Sequence, residues 1–370
     1  MNILILATHF NTGGITSYVL GIAKGLVQKG HHVYIATSGG DRVGDLSAIG
    51  AKHISLDIKT KSELSLKIYR NVPYVMDMVK QNHIEVIHAQ TRVTQVLAAC
   101  VSFFTKVPYV TTCHGFFTPK IVRALFPCWG KAVIAISAQV EEHLKKDFGC
   151  TQENVFLVPH GLESQRYGWS EIRKNDKRKE LGLKPGLIVG IVARLSEVKG
   201  QDILIKAVKK VVSQYPDVNL VIVGEGKWKE ALVSLAKQLS LESNVFFVPT
   251  SQGEQNMLPF FDIFVMPSRQ EGLGLSVMEA QAQGLAVIAS NVGGLPTLIQ
   301  DGKTGILVPK ENVDRLSQAI IYLMENEQER SELGEAAYNF ICRNFSFERM
   351  IVQTLNVYKK VMAHEKHSCC

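Results

Sequence analysis

Short runs of apolar residues alternate with helix-period stripes along almost the whole chain, and that alternation leaves few folds open. A strand flanked by helices joins the next strand in parallel through a crossover, so the pattern predicts βαβ units built on parallel sheets. In the first half, strands are read near 2–7, 33–37, 84–88, 108–113, 132–136 and 154–158, several rich in Val and Ile. A helix over 16–29 carries Val19, Ile22, Ala23, Leu26 and Val27 on one face. A second series follows at Leu187–Val192, 218–223, 245–248, 262–266 and 286–290, its first helix striped by Ile203, Leu204, Ala207, Val208 and Val211. Between the two series, Ser164–Lys184 is polar and dense in charge at Arg173–Glu180, as an exposed connection is. A length of 370 residues suits two such domains, expected over 1–165 and 166–345. No short repeat of fixed period is present, which excludes a solenoid or propeller.

Charge narrows the partners. The 41 basic side chains outnumber the 34 acidic ones, a balance that suits a nucleotide, a phosphate or an anionic lipid without calling for nucleic acid. Met1–Ala23 and Ala280–Gln300 lack charged side chains, but polar residues and glycines interrupt both, so neither reads as a membrane span. Met1–Leu6 has no basic flank and runs straight into a polar turn, which argues against a secretory signal and for the cytoplasm. Seven cysteines include no Cys-x-x-Cys pair, so reduced, buried thiols are expected rather than disulfides or a zinc site.

Chemistry-bearing residues gather at the strand ends. His9–Ile15 opens the first helix, where Gly13 and Gly14 allow close main-chain approach and the helix start offers free N–H groups to an anion. An ordinary tight turn fits the same residues, and they are not the Gly-x-Gly-x-x-Gly dinucleotide fingerprint. His114, at the end of an apolar strand, is placed to hydrogen-bond a sugar or relay a proton, or to rest as a structural histidine. Arg194 and Lys199 bring a guanidinium fork and an ammonium to another strand end, suited to a diphosphate, with a solvated basic loop as the plainer alternative. Glu271 and Glu279 stand eight positions apart around a glycine-bearing turn into a helix. The N–H groups of Gly274, Leu275 and Ser276 would face a phosphate there, Glu271 would accept from sugar hydroxyls, and Glu279 would grip a ribose diol. Glu279 also reads as a helix-surface carboxylate, although Val277, Met278, Ala280 and Ala282 make its surroundings apolar.

In chain order, Gly13-Gly14, His114-Gly115, Arg194 with Lys199-Gly200, Glu271-x7-Glu279 and Asp301–Pro309 resemble a glycosyltransferase of family 4 with the GT-B fold, over nearly the whole chain. The resemblance implies two Rossmann-like α/β/α domains facing across a cleft. It further implies a nucleotide-sugar donor held by the C-terminal domain, an acceptor met by the N-terminal one, and transfer with retention at the anomeric carbon. Carried over by position, it makes His114 and Glu271 the catalytic candidates. Gly14, Arg194, Lys199, Gly274, Leu275, Ser276 and Glu279 become the donor-binding ones, with the cations at the phosphates and Glu279 on the ribose. It also implies that the last segment, 346–370, packs back onto the first domain through a helix near Phe347–Met362. The chain departs from the family at Thr297, where a glutamate is common, and at His160, where an asparagine is.

Departure of a diphosphate puts negative charge on the leaving group, so fixed cations and amides there are the main electrostatic requirement. No Asp-x-Asp pair is present to seat a divalent ion, and the expectation is metal-independent transfer with no cofactor, of a hexose from a UDP-sugar by preference, to a glycan, lipid-linked or envelope acceptor. Ser102–Lys131 mixes Lys106, Lys120, Arg123 and Lys131 with Phe103, Phe104, Phe116, Phe117, Phe126 and Trp129 and no acid, which fits either peripheral contact with an anionic membrane at its inner face or first-domain core, the latter favoured. Two rivals stand beside the transferase. One is a Rossmann-type dehydrogenase using the incomplete Gly224-Glu225-Gly226 fingerprint, and the other a non-catalytic nucleotide-sugar-binding protein.

Overall fold

A computed structural model describes residues 1–119, 123, 126–163, 178–250 and 257–366. Within it the chain forms two compact units, Met1–Gly161 joined by the segment from Phe347, and Leu162–Ser346. The division falls a few residues before the expected one, and most of the charged connection, 164–177, lies outside the described residues.

The first unit is a seven-stranded sheet of β1 (Asn2–Leu6), β2 (His32–Thr37), β3 (Lys52–Ser55), β4 (Val86–Ala89), β5 (Tyr109–Cys113), β6 (Ala132–Ala135) and β7 (Val155–Leu157). They are ordered β3-β2-β1-β4-β5-β6-β7 and every pair is parallel. Its central strands are apolar on both faces because helices cover both, which is why they read as unbroken runs rather than as alternation. On one face lie α1 (Gly14–Gln28), α2 (Gly44–Ala48) and, from the far end of the chain, α13 (Phe347–Lys366). Tyr18, Ile22 and Leu26 of α1 meet Ile351, Leu355 and Tyr358 of α13 in one core, each such aliphatic contributing about 1.5–3 kcal/mol when buried. On the other face α3 (Leu66–Arg70), α4 (Val72–Gln81) and α5 (Arg92–Thr105) bury Ile68, Val75, Val79, Leu97 and Val101. Helix α6 (Ala138–Phe148) starts at a Ser137 cap whose hydroxyl takes the Val140 N–H.

The second unit has six parallel strands, β8 (Ile188–Val192), β9 (Asn219–Val223), β10 (Val245–Val248), β11 (Ile263–Met266), β12 (Ala286–Ser290) and β13 (Ile306–Val308), ordered β10-β9-β8-β11-β12-β13. Helices α7 (Gln201–Val212), α8 (Lys229–Gln238), α9 (Leu275–Ala282), α10 (Leu295–Leu298), α11 (Val313–Glu325) and α12 (Glu327–Asn344) connect and cover them. In both sheets the chain starts near the middle, runs to one edge, and returns to build the other side. This leaves a crevice at the carboxyl ends of β1 and β4 in the first unit and of β8 and β11 in the second.

Two expectations are corrected. The aromatics of Ser102–Lys131 are not simply core: Trp129 is buried, but Phe126 stands exposed, and so do Phe103 and Phe104, which the end of α5 turns away from the sheet. The cysteines described are all free thiols, but only Cys113 is buried, whereas Cys100, Cys128, Cys150 and Cys342 reach partly to solvent. No helix among the described residues is long and apolar enough to cross a membrane.

Candidate active site

In the second unit the loops leaving β8 and β11 share the crevice, since those strands are neighbours in register through Val189–Ile263 and Gly190–Phe264. The β8 loop carries Arg194, exposed, and Lys199, three-quarters buried in a single helical turn that ends at Gly200. Gly200 takes a left-handed backbone (φ 68°), and a Cβ there would fall on the Pro267 carbonyl oxygen, so only glycine lets the turn lie against the end of β11. The β11 loop carries Glu271, whose Oε2 receives the Lys199 ammonium in an ion pair and lies 3.4 Å from the buried Ser268 hydroxyl. Its main chain is fixed as well, with the Gly294 N–H donating to the Glu271 carbonyl at 3.0 Å. A Cβ on Gly293 (φ 52°) would strike that same carbonyl, which accounts for the Gly293-Gly294 pair.

Beyond Glu271 the chain enters α9 through Gly274, with no side-chain cap. The first bonds of the helix run from Val277 and Met278 back to the Gly274 carbonyl at 3.0 and 3.1 Å, so the N–H groups of Leu275 and Ser276 have no partner within the helix. They face the positive end of the helix dipole, the arrangement that holds anions elsewhere. Glu279, partly buried, is one turn further along the face of Leu275 and Ser276. The structure thus brings Lys199 and Glu271 into contact and sets Arg194 and the α9 start on the same sheet edge.

In the first unit α1 begins at Gly14, just past β1, and one turn later Tyr18 presents its ring to His114 with centroids 4.8 Å apart, edge to face. Gly14 and His114 therefore share one strand-end crevice. The Nε2 of His114 lies 2.9 Å from Gln90 Oε1, at the end of β4. With that oxygen as acceptor, Nε2 carries the proton and Nδ1 is left to accept one. Burial pushes the His114 imidazole down to about 3, with His160 nearby adding to the shift, so it is neutral at physiological pH. In the same unit, Thr12 donates to Asp41 through both its N–H and its hydroxyl at 2.8 Å, tying the β1 loop to the β2 loop. Those hydrogen bonds hold the Asp41 carboxyl below its ordinary range.

The family model for Glycosyltransferase Family 4 matches residues 12–166, and that for Glycosyl transferases group 1 matches residues 173–340. The chain belongs to glycosyltransferase family 4. The D-inositol 3-phosphate glycosyltransferase of Corynebacterium aurimucosum is 30% identical to this chain over 248 residues, 64% of this chain and 58% of that one. A GDP-mannose-dependent monoacylated alpha-(1-6)-phosphatidylinositol monomannoside mannosyltransferase of Corynebacterium glutamicum is 34% identical over 211 residues, 54% of this chain and 55% of that one. The matched stretches thus span little more than half the length of these relatives. In fold, Anabaena HepE, solved with UDP and glucose, superposes with a TM-score of 0.86 at 21% identity, covering 96% of this chain and 99% of that one. The fold is GT-B.

Several residues that frame the candidate site are invisible as motifs. Arg269 grips Asp202 through two nitrogens at 2.8 Å, donates to the Glu197 carbonyl at 2.6 Å and pairs with Glu311 at 2.7 Å, which hooks the Lys199 turn to the β11 loop. Burial raises the Asp202 carboxyl, and the Arg269 hydrogen bonds outweigh it, leaving it below the ordinary value. The Gly224-Glu225-Gly226 turn does not form a dinucleotide loop. Its backbone braces the Arg194 segment, the Glu225 carbonyl accepting from Leu195 at 2.9 Å. In the first unit, His160 is buried against the Tyr18 ring, and neither of its ring nitrogens nor Gln90 Nε2 has a hydrogen-bond partner among the described residues.

Proposed function

We propose that this chain is a retaining, metal-independent transferase that moves a hexose from a nucleotide sugar, UDP-linked by preference, to a glycan or lipid-linked acceptor of the cell envelope, working in the cytoplasm. The observation that carries the reading is the Lys199–Glu271 pair set beside an uncapped helix start at the strand-order switch of the second unit. A partly buried ammonium needs a counter-ion, and Glu271 supplies it; because Lys offers three N–H donors, it can add diphosphate oxygens without releasing the carboxylate. Arg194 and the Leu275 and Ser276 amides add positive potential where the leaving group gains charge. Glu271 then has one carboxylate oxygen for the sugar hydroxyls.

For the base, the curated relatives divide: one has GDP-mannose in its name, whereas the HepE structure holds UDP. The acceptor reading draws on relatives named for an inositol phosphate and a phosphatidylinositol mannoside. In the first unit, the neutral His114 suits the role of hydrogen-bond acceptor through Nδ1 better than that of a general acid.

The test is turnover across a panel of UDP- and GDP-sugars, with the anomeric configuration of the product read by NMR. Retention, turnover that persists with a chelator, and loss of donor cleavage in Glu271→Ala are expected. Inversion, or restoration of activity only by added magnesium or manganese, overturns the corresponding part.

A further inference from the structure

The segment that leaves β5 carries His114 at its head, and there its main-chain hydrogen bonding stops. Among the described residues, the N–H groups of Gly115, Phe116 and Phe117 reach no main-chain carbonyl, so the course of this segment depends on side chains. The Cys113 thiol donates to the Gly115 carbonyl at 3.1 Å. Two residues on, the Phe117 N–H donates to Nε2 of His143, in α6, at 3.0 Å.

That second contact fixes a proton. A main-chain N–H can only donate, so Nε2 is the bare nitrogen of the ring and Nδ1 carries the hydrogen. Asp147, one helical turn further along α6, accepts that hydrogen through Oδ2 at 2.5 Å. A carboxylate on Nδ1 holds an imidazole in the tautomer whose other nitrogen accepts, and it fixes the ring's orientation as well. Packing adds to this: the Phe116 and Phe148 rings each lie 5.2 Å from the His143 ring, the latter edge to face, and the histidine side chain is only 10% exposed. A His–Asp pair within one helix is commonplace. Here the remaining nitrogen holds a main chain 26 residues away, three positions past His114.

We infer that His143 is a positioning residue for His114: oriented by Asp147, it clasps the Phe117 N–H and so sets the path of the segment on which the His114 ring stands. Gln90 and Tyr18 fix that ring through its own atoms, whereas His143 acts on its backbone. A misplacement of about 1 Å at a reacting group costs up to about 100-fold in rate, so a clasp three residues away bears on turnover. The consequence for turnover rests on the role proposed above for His114; the clasp itself is read without it.

The experiment compares wild type, His143→Leu and His143→Gln, all as the full chain. Leucine fills the space without an acceptor, and glutamine places an amide oxygen near the position of Nε2. Amide exchange at Phe117, followed by NMR, should quicken by about tenfold in His143→Leu and return toward the wild-type rate in His143→Gln. Donor cleavage, measured with the sugar nucleotide selected by the panel above, should lose about tenfold or more in kcat in His143→Leu, with donor affinity by calorimetry unchanged, and His143→Gln should restore most of it. Asp147→Ala should move exchange and kcat in the same direction by less. Wild-type exchange at Phe117 in His143→Leu overturns the inference. Equal losses in the leucine and glutamine variants, tracking a fall in melting temperature, also overturn it and leave His143 to stability alone. No turnover in the wild type counts against the proposed function, and the exchange rates then decide the clasp by themselves.

Discussion

Lys199 and Glu271 are separated by 72 residues in sequence, and their pairing is the most consequential contact the fold makes. Each side chain alone is a common solvated residue; together and partly buried they form a polar unit that an anion can enter. Removing one partner strands the other, so Lys199→Met and Glu271→Gln should each cut kcat/KM by about 100-fold or more. The double variant should fall short of the product of the two losses, as residues in direct contact are coupled. Additive losses in steady-state kinetics would show that the two act separately.

Three histidines of the first unit are held neutral by burial. Burial pushes His88 and His114 down to about 3 and His160 to about 4, against about 6.5 in an unfolded chain. The folded state thus favours the neutral form, so their contribution is complete above about pH 6.5 and is lost as pH falls toward 4. Each accounts for about 1.4 kcal/mol per pH unit in that window, about 4 kcal/mol per unit for the three. Guanidinium unfolding at pH 7 and pH 5.5 should show the first unit losing stability steeply, and His88→Gln should reduce that slope. A flat profile would contradict the burial argument.

At the scale of elements, the strands were legible because helices cover both faces of each sheet, and a doubly buried strand such as Ile188–Val192 has to be an apolar run. β3 escaped for the opposite reason. Lying at an edge, Lys52–Ser55 carries Lys52 and His53 and gives no apolar signal. The turns that carry the candidate residues could be placed from glycines and strand ends, but what holds them could not. Arg269 reads as one more surface cation until it is seen hooked to Asp202, Glu197 and Glu311. Arg269→Leu would leave the half-buried Asp202 carboxylate without its partner and free the Lys199 turn from β11. A loss of about 2–4 kcal/mol in stability, together with a raised donor KM and a smaller change in kcat, is expected. Differential scanning calorimetry and steady-state kinetics check the two halves; an unchanged KM would relegate Arg269 to stability alone.

Across the whole molecule, the chain returns to its start: α13 closes the core that α1 opened, and its Tyr358 hydroxyl reaches His88 Nδ1 at 2.7 Å across 270 residues of sequence. From there Thr112 accepts or donates at 2.7 Å to His88 Nε2 and lies 3.4 Å from the Tyr18 hydroxyl, so a buried polar chain ends at the ring that supports His114. The apolar stripe of Ile351, Leu355 and Tyr358 marked the helix, but no pattern in the chain names its hydrogen-bond partner.

Transfer by this site requires that the second unit hold a diphosphate. Calorimetric titration of a UDP-sugar into wild-type protein, Arg194→Met and Lys199→Met, with a chelator present throughout, tests that directly. Affinity weakened by about tenfold or more in each variant, with folding intact, is the predicted result. Wild-type affinity in both variants, or binding that appears only with a divalent cation, would contradict it.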